Sequence, residues 1–154
     1  MKLNIEKCNC LNVGKKNINF EYELKGLKLN KTKEQKDLGI IISNNLKVNV
    51  QVTKASKKAN KMLGYIKRNF EYKNKDIIIP LYKSLVRPHL EYAIQFWAPY
   101  HQKDIDALER IQRRATKLVP NLKNMSYENR LKSLKLYTLK TRRLRGELIE
   151  VFKF

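Results

Sequence analysis

The stretch "LERIQRRATKLVP", Leu108 to Pro120, puts Arg110, Arg113, Arg114 and Lys117 on one side of a helix. Leu108, Ile111, Ala115 and Leu118 recur at three- and four-residue steps on the other. A guanidinium is a planar fork of donors that fits phosphate oxygens two at a time, so arginines gathered on one face suit a polyanion. The same two-sided pattern occurs earlier. Lys54, Lys57, Lys58, Lys61 and Arg68 stand opposite the stripe Val52, Ala55, Ala59, Leu63, Ile66 and Phe70. A third group, Arg142, Arg143 and Arg145, lies near the start of "TRRLRGELIEVF". Cations there oppose the helix macrodipole, and such a helix start gains if an anion docks on it. One charged face is usually only solvated; three make coordinated binding of nucleic acid the expected chemistry.

Other chemistries lack their parts. Cys8 and Cys10 alternate on a strand-like segment, far from the two histidines, His89 and His101. A structural zinc site wants four ligands at suitable spacing, so no metal site is expected and the cysteines read as core residues. No serine or cysteine sits in a nucleophile elbow, and no phosphate loop occurs. Two-metal phosphoryl transfer needs clustered carboxylates, but Asp37, Asp76, Asp104 and Asp106 include no adjacent pair. Asp104 and Asp106 read as first-turn acids of a helix. Tyr92, Phe96, Trp97 and Tyr100 could stack bases, yet their helical spacing in an apolar segment reads as core. No catalytic residue is expected in this chain.

The elements that must position these residues fall into two textures. Over 1–45, short β-branched and aromatic runs ("INFEYEL", "LKLN", "KDLGIIIS") are broken by Gly and Asn and read as three or four strands. This part carries nine basic residues against five acidic. Residues 46–154 carry 25 against nine and have helical periodicity throughout. Helices are expected over about 48–70, 74–97, 103–119, 127–135 and 139–152. Asn74, Ser126 and Thr138 are their N-caps, and Pro80 and Pro88 should kink or split the second. In the last helix Leu144, Leu148 and Val151 are expected to face the core. The fold class is thus mainly α with a small N-terminal β piece, a helical bundle after a few strands.

The whole chain, 154 residues with 42% hydrophobic and 31% charged, has enough material for one domain with a core. It shows no signal-peptide pattern and no apolar run long enough to span a membrane. Two cysteines this close suggest a reducing compartment, hence an intracellular protein, with the nucleus open to it. The 34 Lys+Arg against 14 Asp+Glu give a net charge of +20, which calls for an anionic partner. Lysine enrichment alone could follow from A/T-rich codons. Arginine is less easily explained so, and seven of the nine stand at or after position 110.

Several phrases, in one linked order, carry a resemblance. They are "KCNCLNVG", "EQKDLGIIISNNLK", "KASKKANKMLGYIKRNF", "IPLYKSLVRPHLEYAIQFWAPY", "DIDALERIQRRATKLVP", "SYENRLKSLKLYTL" and "KTRRLRGELIEVFK". Together they resemble the C-terminal part of reverse transcriptases of jockey-like non-LTR retrotransposons. The resemblance implies that 1–45 is a remnant of the palm with a primer-grip-like hairpin, Leu38 and Gly39 supporting the primer's 3′ end. It implies that 46–154 is the thumb and the region after it. In that family the catalytic aspartates, and the magnesium they hold, belong to the palm turn, an aromatic-Ala-Asp-Asp sequence that this chain does not contain. The chain then looks like a non-catalytic fragment of an RNA-directed DNA polymerase, with no cofactor of its own. Its expected partners are RNA, DNA or an RNA–DNA hybrid, and the missing palm. Binding would be sequence-tolerant, through Lys54, Lys57, Lys58, Lys61, Arg68, Arg110, Arg113, Arg114, Lys117, Arg142, Arg143 and Arg145. The alternative is an interaction module that needs the palm to fold and binds nothing alone. Docking on an anionic membrane ranks third, because the apolar stripes should already be used in the core.

Overall fold

Among the described residues, turns cut the first third of the chain into six short strands. A computed structural model describes residues 4–14, 16–18 and 20–153, and it is mainly helical with this small β part at the N-terminal end. Two compact units divide between Gln51 and Val52. In the first, β1 (Asn9–Leu11) pairs in parallel with β4 (Asn30–Thr32). The antiparallel pairs are β2 (Glu23–Leu24) with β3 (Leu27–Lys28), and β5 (Glu34–Asp37) with β6 (Ile40–Ser43). The expected strand through "INFEYEL" is reduced to β2; its position 19 lies outside the described residues. Both antiparallel pairs turn over two residues with positive φ, Lys25-Gly26 and Leu38-Gly39. Each sheet has only two strands. Among described residues 4–51 the fully buried side chains are Ser43 and Gln51, both polar. Gln51 Oε1 accepts from the Ile41 amide at 3.0 Å. Among the described residues of this unit no apolar side chain is fully buried, so it rests mainly on strand pairing, a marginal arrangement for two-stranded sheets.

The second unit is built from helices. In α1 (Asn49–Asn69) the stripe Val52, Ala55, Ala59, Leu63 and Ile66 is buried, as its spacing predicts. Asn74 caps α2 (Lys75–Leu81), its Oδ1 accepting from the Ile77 amide at 2.9 Å. Pro80 and Pro88 do not end the helix. The backbone widens into a π turn over Tyr82–Val86, where the Arg87 amide donates to the Tyr82 carbonyl five residues back, and continues as α3 (Arg87–Glu91). The wider step shifts the hydrogen-bond register between two residues that have no N–H to give. The break comes later, at Ala93, whose φ of 49° is left-handed. The short α4 (Ile94–Trp97) follows, with Trp97 buried and its Nε1 donating to the Tyr92 carbonyl at 2.8 Å.

Next come α5 (Gln102–Thr116), α6 (Tyr127–Ser133) and α7 (Leu139–Val151). Ser126 and Thr138 cap the last two as expected, accepting from the amides of Asn129 and Thr141. The core gathers Ile66, Ile78, Tyr82, Val86, Leu90, Trp97, Leu108, Ile111, Ala115 and Leu139. One helix is turned the other way from its expected orientation. Leu144, Leu148 and Val151 of α7 are exposed, and Leu139 and Arg143 face inward. The start of this helix meets a carboxylate from α5, Glu109, whose Oε2 accepts from the Leu139 amide at 3.0 Å. Among the described residues no helix is long and apolar enough to cross a membrane, and no three acidic, His or Cys residues gather as a metal site.

Candidate nucleic-acid interface

The outer sides of α1 and α5 meet. Arg114 Nη1 donates to Asn60 Oδ1 at 2.9 Å, which sets α5 beside the Asn60 edge of α1. Lys57, Lys61 and Arg68 occupy the quarter of α1 next to that edge, and all three are exposed. Arg110 and Lys117 lie along the middle of the outer side of α5, also exposed. None of these five side chains has a hydrogen-bond or ion-pair partner among the described residues. Helix α1 contains no acidic residue at all. Of the acids in α5, Asp104 and Glu109 are buried, and Asp106 accepts from Gln102 Nε2 at 2.9 Å. The joint surface is therefore strongly cationic, with Asp106 the exposed acid on these two helices. Arg113 stands at its other margin, exposed, with its guanidinium carbon 4.9 Å from the centre of the Tyr127 ring. That contact orients the side chain and leaves its charge available. Lys58 is exposed but points nearly opposite Asn60 around the axis, and Lys54 is half-buried.

The third predicted group does not survive as a group. Arg145 is exposed. Arg142 gives Nε and Nη2 to the two oxygens of Glu91, a fork that pushes its pKa above the ordinary guanidinium value. Arg143 is only 6% exposed, with both Nη atoms buried and unpartnered among the described residues. Burial pushes its pKa down, opposed by the field of Glu109, Glu147 and Glu91. One turn beyond Leu139, it lies on the same inward side of the helix. Arg143 is thus withdrawn from the surface, and Arg142 is largely spoken for. The arginine at 130 is also internal, donating Nε to Thr116 Oγ1 and Nη1 to the Met125 carbonyl. The primer-grip-like pair, Leu38 and Gly39, forms the β5–β6 turn with φ of 42° and 90°. Leu38 is 83% exposed, so an apolar side chain stands out at a hairpin tip.

Two further features differ from the sequence reading. The aromatic group read as core is divided: Trp97 is buried, while Tyr92, Tyr100 and Phe96, the last 81% exposed, face solvent. The left-handed step at Ala93 resets the helical phase, so spacing counted across it misleads. The reading also missed a buried polar network. Tyr82 donates to Gln112 Oε1 at 2.6 Å; Gln112 Nε2 donates to the Tyr127 hydroxyl and the Tyr137 carbonyl, each at 2.9 Å; Tyr127 donates to Glu109 Oε1. Burial raises the pKa of both phenols, helped by the field of Glu91 at Tyr82 and by the Glu109 bond at Tyr127. A signal existed: Glu109, Gln112 and Thr116 form a polar i, i+3, i+7 stripe beside the apolar one. Tyr65, half-exposed on α1 between Lys61 and Arg68, is an additional ring on the basic side.

No match to the chain was found among profiles of protein families, curated protein sequences or solved structures.

Proposed function

We propose that the chain holds nucleic acid by its phosphates, as the thumb-like part of an RNA-directed DNA polymerase. The observation that carries the reading is the Arg114–Asn60 contact, because it turns two separate basic helices into one surface. Phosphate contacts from Lys57, Lys61, Arg68, Arg110 and Lys117, with Arg113 and Arg114 at the margins, would position a duplex without reading its sequence. A template–primer hybrid of A-like geometry is held in this way, by shape and backbone. The polymerase part of the proposal rests on the linked phrases that resemble reverse transcriptases.

The test is a salt titration of binding to an RNA–DNA hybrid. If six to eight phosphates are neutralised, log affinity falls with log salt at a slope of roughly −5 to −7. Arg110→Ala with Lys117→Ala should flatten that slope by about 2, and Arg143→Met should leave it unchanged. A slope near zero in the native chain sinks the proposal.

One observation favours a second reading for residues 1–51, as a piece that folds only against a partner. Val13, Ile18, Phe20, Tyr22 and Leu27 are all exposed there, and the strands have no apolar core. Full hydrogen-exchange protection of β5 and β6 in the monomer would count against it.

A further inference from the structure

An open cleft of about 540 Å³ lies along α7, lined by Tyr137, Thr141, Arg142, Arg145, Gly146 and Ile149. Small-ligand sites typically enclose roughly 300–1,000 Å³, so a compact molecule fits. Gly146 stands in the interior of a 13-residue helix. Glycine there costs about 1 kcal/mol against alanine. Its φ is not left-handed, and a Cβ built on it meets no atom within 4 Å. Neither backbone conformation nor close packing asks for glycine at this position. What glycine does is leave the cleft open down to the helix backbone.

The lining brings together cations and apolar groups. Arg142 is held by Glu91 through Nε and Nη2, and among the described residues its Nη1 has no hydrogen-bond partner. Arg145 follows three residues on, exposed and without a partner among the described residues. Among the described residues no carboxylate lines the cleft, and Glu91, which holds Arg142, also lies 3.6 Å from Arg87. The same lining holds the ring of Tyr137, mostly exposed, and the aliphatic chain of Ile149. A rigid cation, a free cation, an aromatic ring and an aliphatic contact match a phosphate joined to a flat ring.

We propose that the cleft beside Gly146 takes one nucleotide unit, its phosphate on Arg142 and Arg145 and its base against Tyr137 and Ile149. The unit is either a free nucleotide or the unpaired end of a bound strand. The second source rests on the nucleic-acid reading above; the first does not need it.

Gly146→Leu fills the cleft from its floor without meeting a native atom at Cβ, and it replaces a poor helix former with a good one. Its thermal stability should match or exceed that of the native chain, so loss of binding would not reflect unfolding. With AMP as probe, titrated by calorimetry, the native chain should bind, and Gly146→Leu and Arg145→Gln should each weaken binding at least tenfold. No binding of AMP by the native chain, or equal binding by Gly146→Leu, overturns the proposal. Hybrids with blunt and single-stranded ends separate the sources. A preference for the overhang that Gly146→Leu abolishes assigns the strand end; equal affinity for both, with AMP binding intact, assigns a free nucleotide. A hybrid that fails to bind, or binds without salt dependence, removes the basic-surface reading and leaves the AMP result to decide the cleft alone.

Discussion

Ala93 sits in left-handed backbone where α3 gives way to α4. A side chain beyond glycine costs roughly 1 kcal/mol in that conformation. Ala93→Gly should therefore stabilise the chain by up to about 1 kcal/mol, read as a rise in Tm of roughly 2–4 °C. A fall in Tm would show that the methyl group is held by packing. Residues of this kind mark the limit of what the sequence discloses. Arg142, Arg143 and Arg145 look alike on paper, and only the position of Glu109 and Glu91 on other helices makes one buried, one paired and one free. Ser126 and Thr138 could be read correctly because a cap is settled within three residues of chain.

At the scale of elements, periodicity located the helices well and the rotation of α7 badly. Its two candidate inner faces, one apolar and one holding Leu139 and Arg143, differ by what they meet across the core, and that is a carboxylate. Glu109→Ala would remove the acceptor for the Leu139 amide and for the Tyr127 hydroxyl together, and leave the buried Arg143 without its nearest field. Breaking a buried ionic network typically costs about 3–5 kcal/mol. Chemical denaturation should show a loss in that range, with exchange of the α7 amides accelerated first; a loss under about 1 kcal/mol would mean that Thr138 suffices to start the helix. The π turn was likewise out of reach. Pro80 and Pro88 announce a conflict in the hydrogen-bond ladder, but not that five widened residues would resolve it.

For the molecule as a whole, charge was legible and its convergence was not, since what joins the outer sides of α1 and α5 is a long-range hydrogen bond, Arg114 to Asn60, that no local pattern announces. The buried phenols should give the helical unit a dependence on alkaline pH. Tyr82 and Tyr127 have pKa values raised above the ordinary 10.0. Unfolded, they ionise near that value; folded, they keep their protons to higher pH. The unfolded state then binds fewer protons, and stability falls as pH rises past 10. Urea midpoints at about pH 9 and about pH 11 should differ in that direction, and Tyr127→Phe should reduce the difference. Equal slopes in the two proteins would mean that the phenol ionises as freely inside as out.

The absence of any acid from α1 reaches beyond binding, into the lifetime of the protein. Lys57, Lys58 and Lys61 repel one another at helical spacing, so the empty helix rests mainly on its buried side. A polyanion laid along it cancels that repulsion and adds its own binding free energy to the folded state. Leu63 and Ile66 are buried, so thermolysin can cut there only after the helix opens. Digestion should slow several-fold when hybrid is present, and unchanged rates would mean that occupancy does not firm the helix. If it does, quality-control proteases would meet the unoccupied chain as the softer substrate, and the amount of protein in a cell would follow the supply of what it holds.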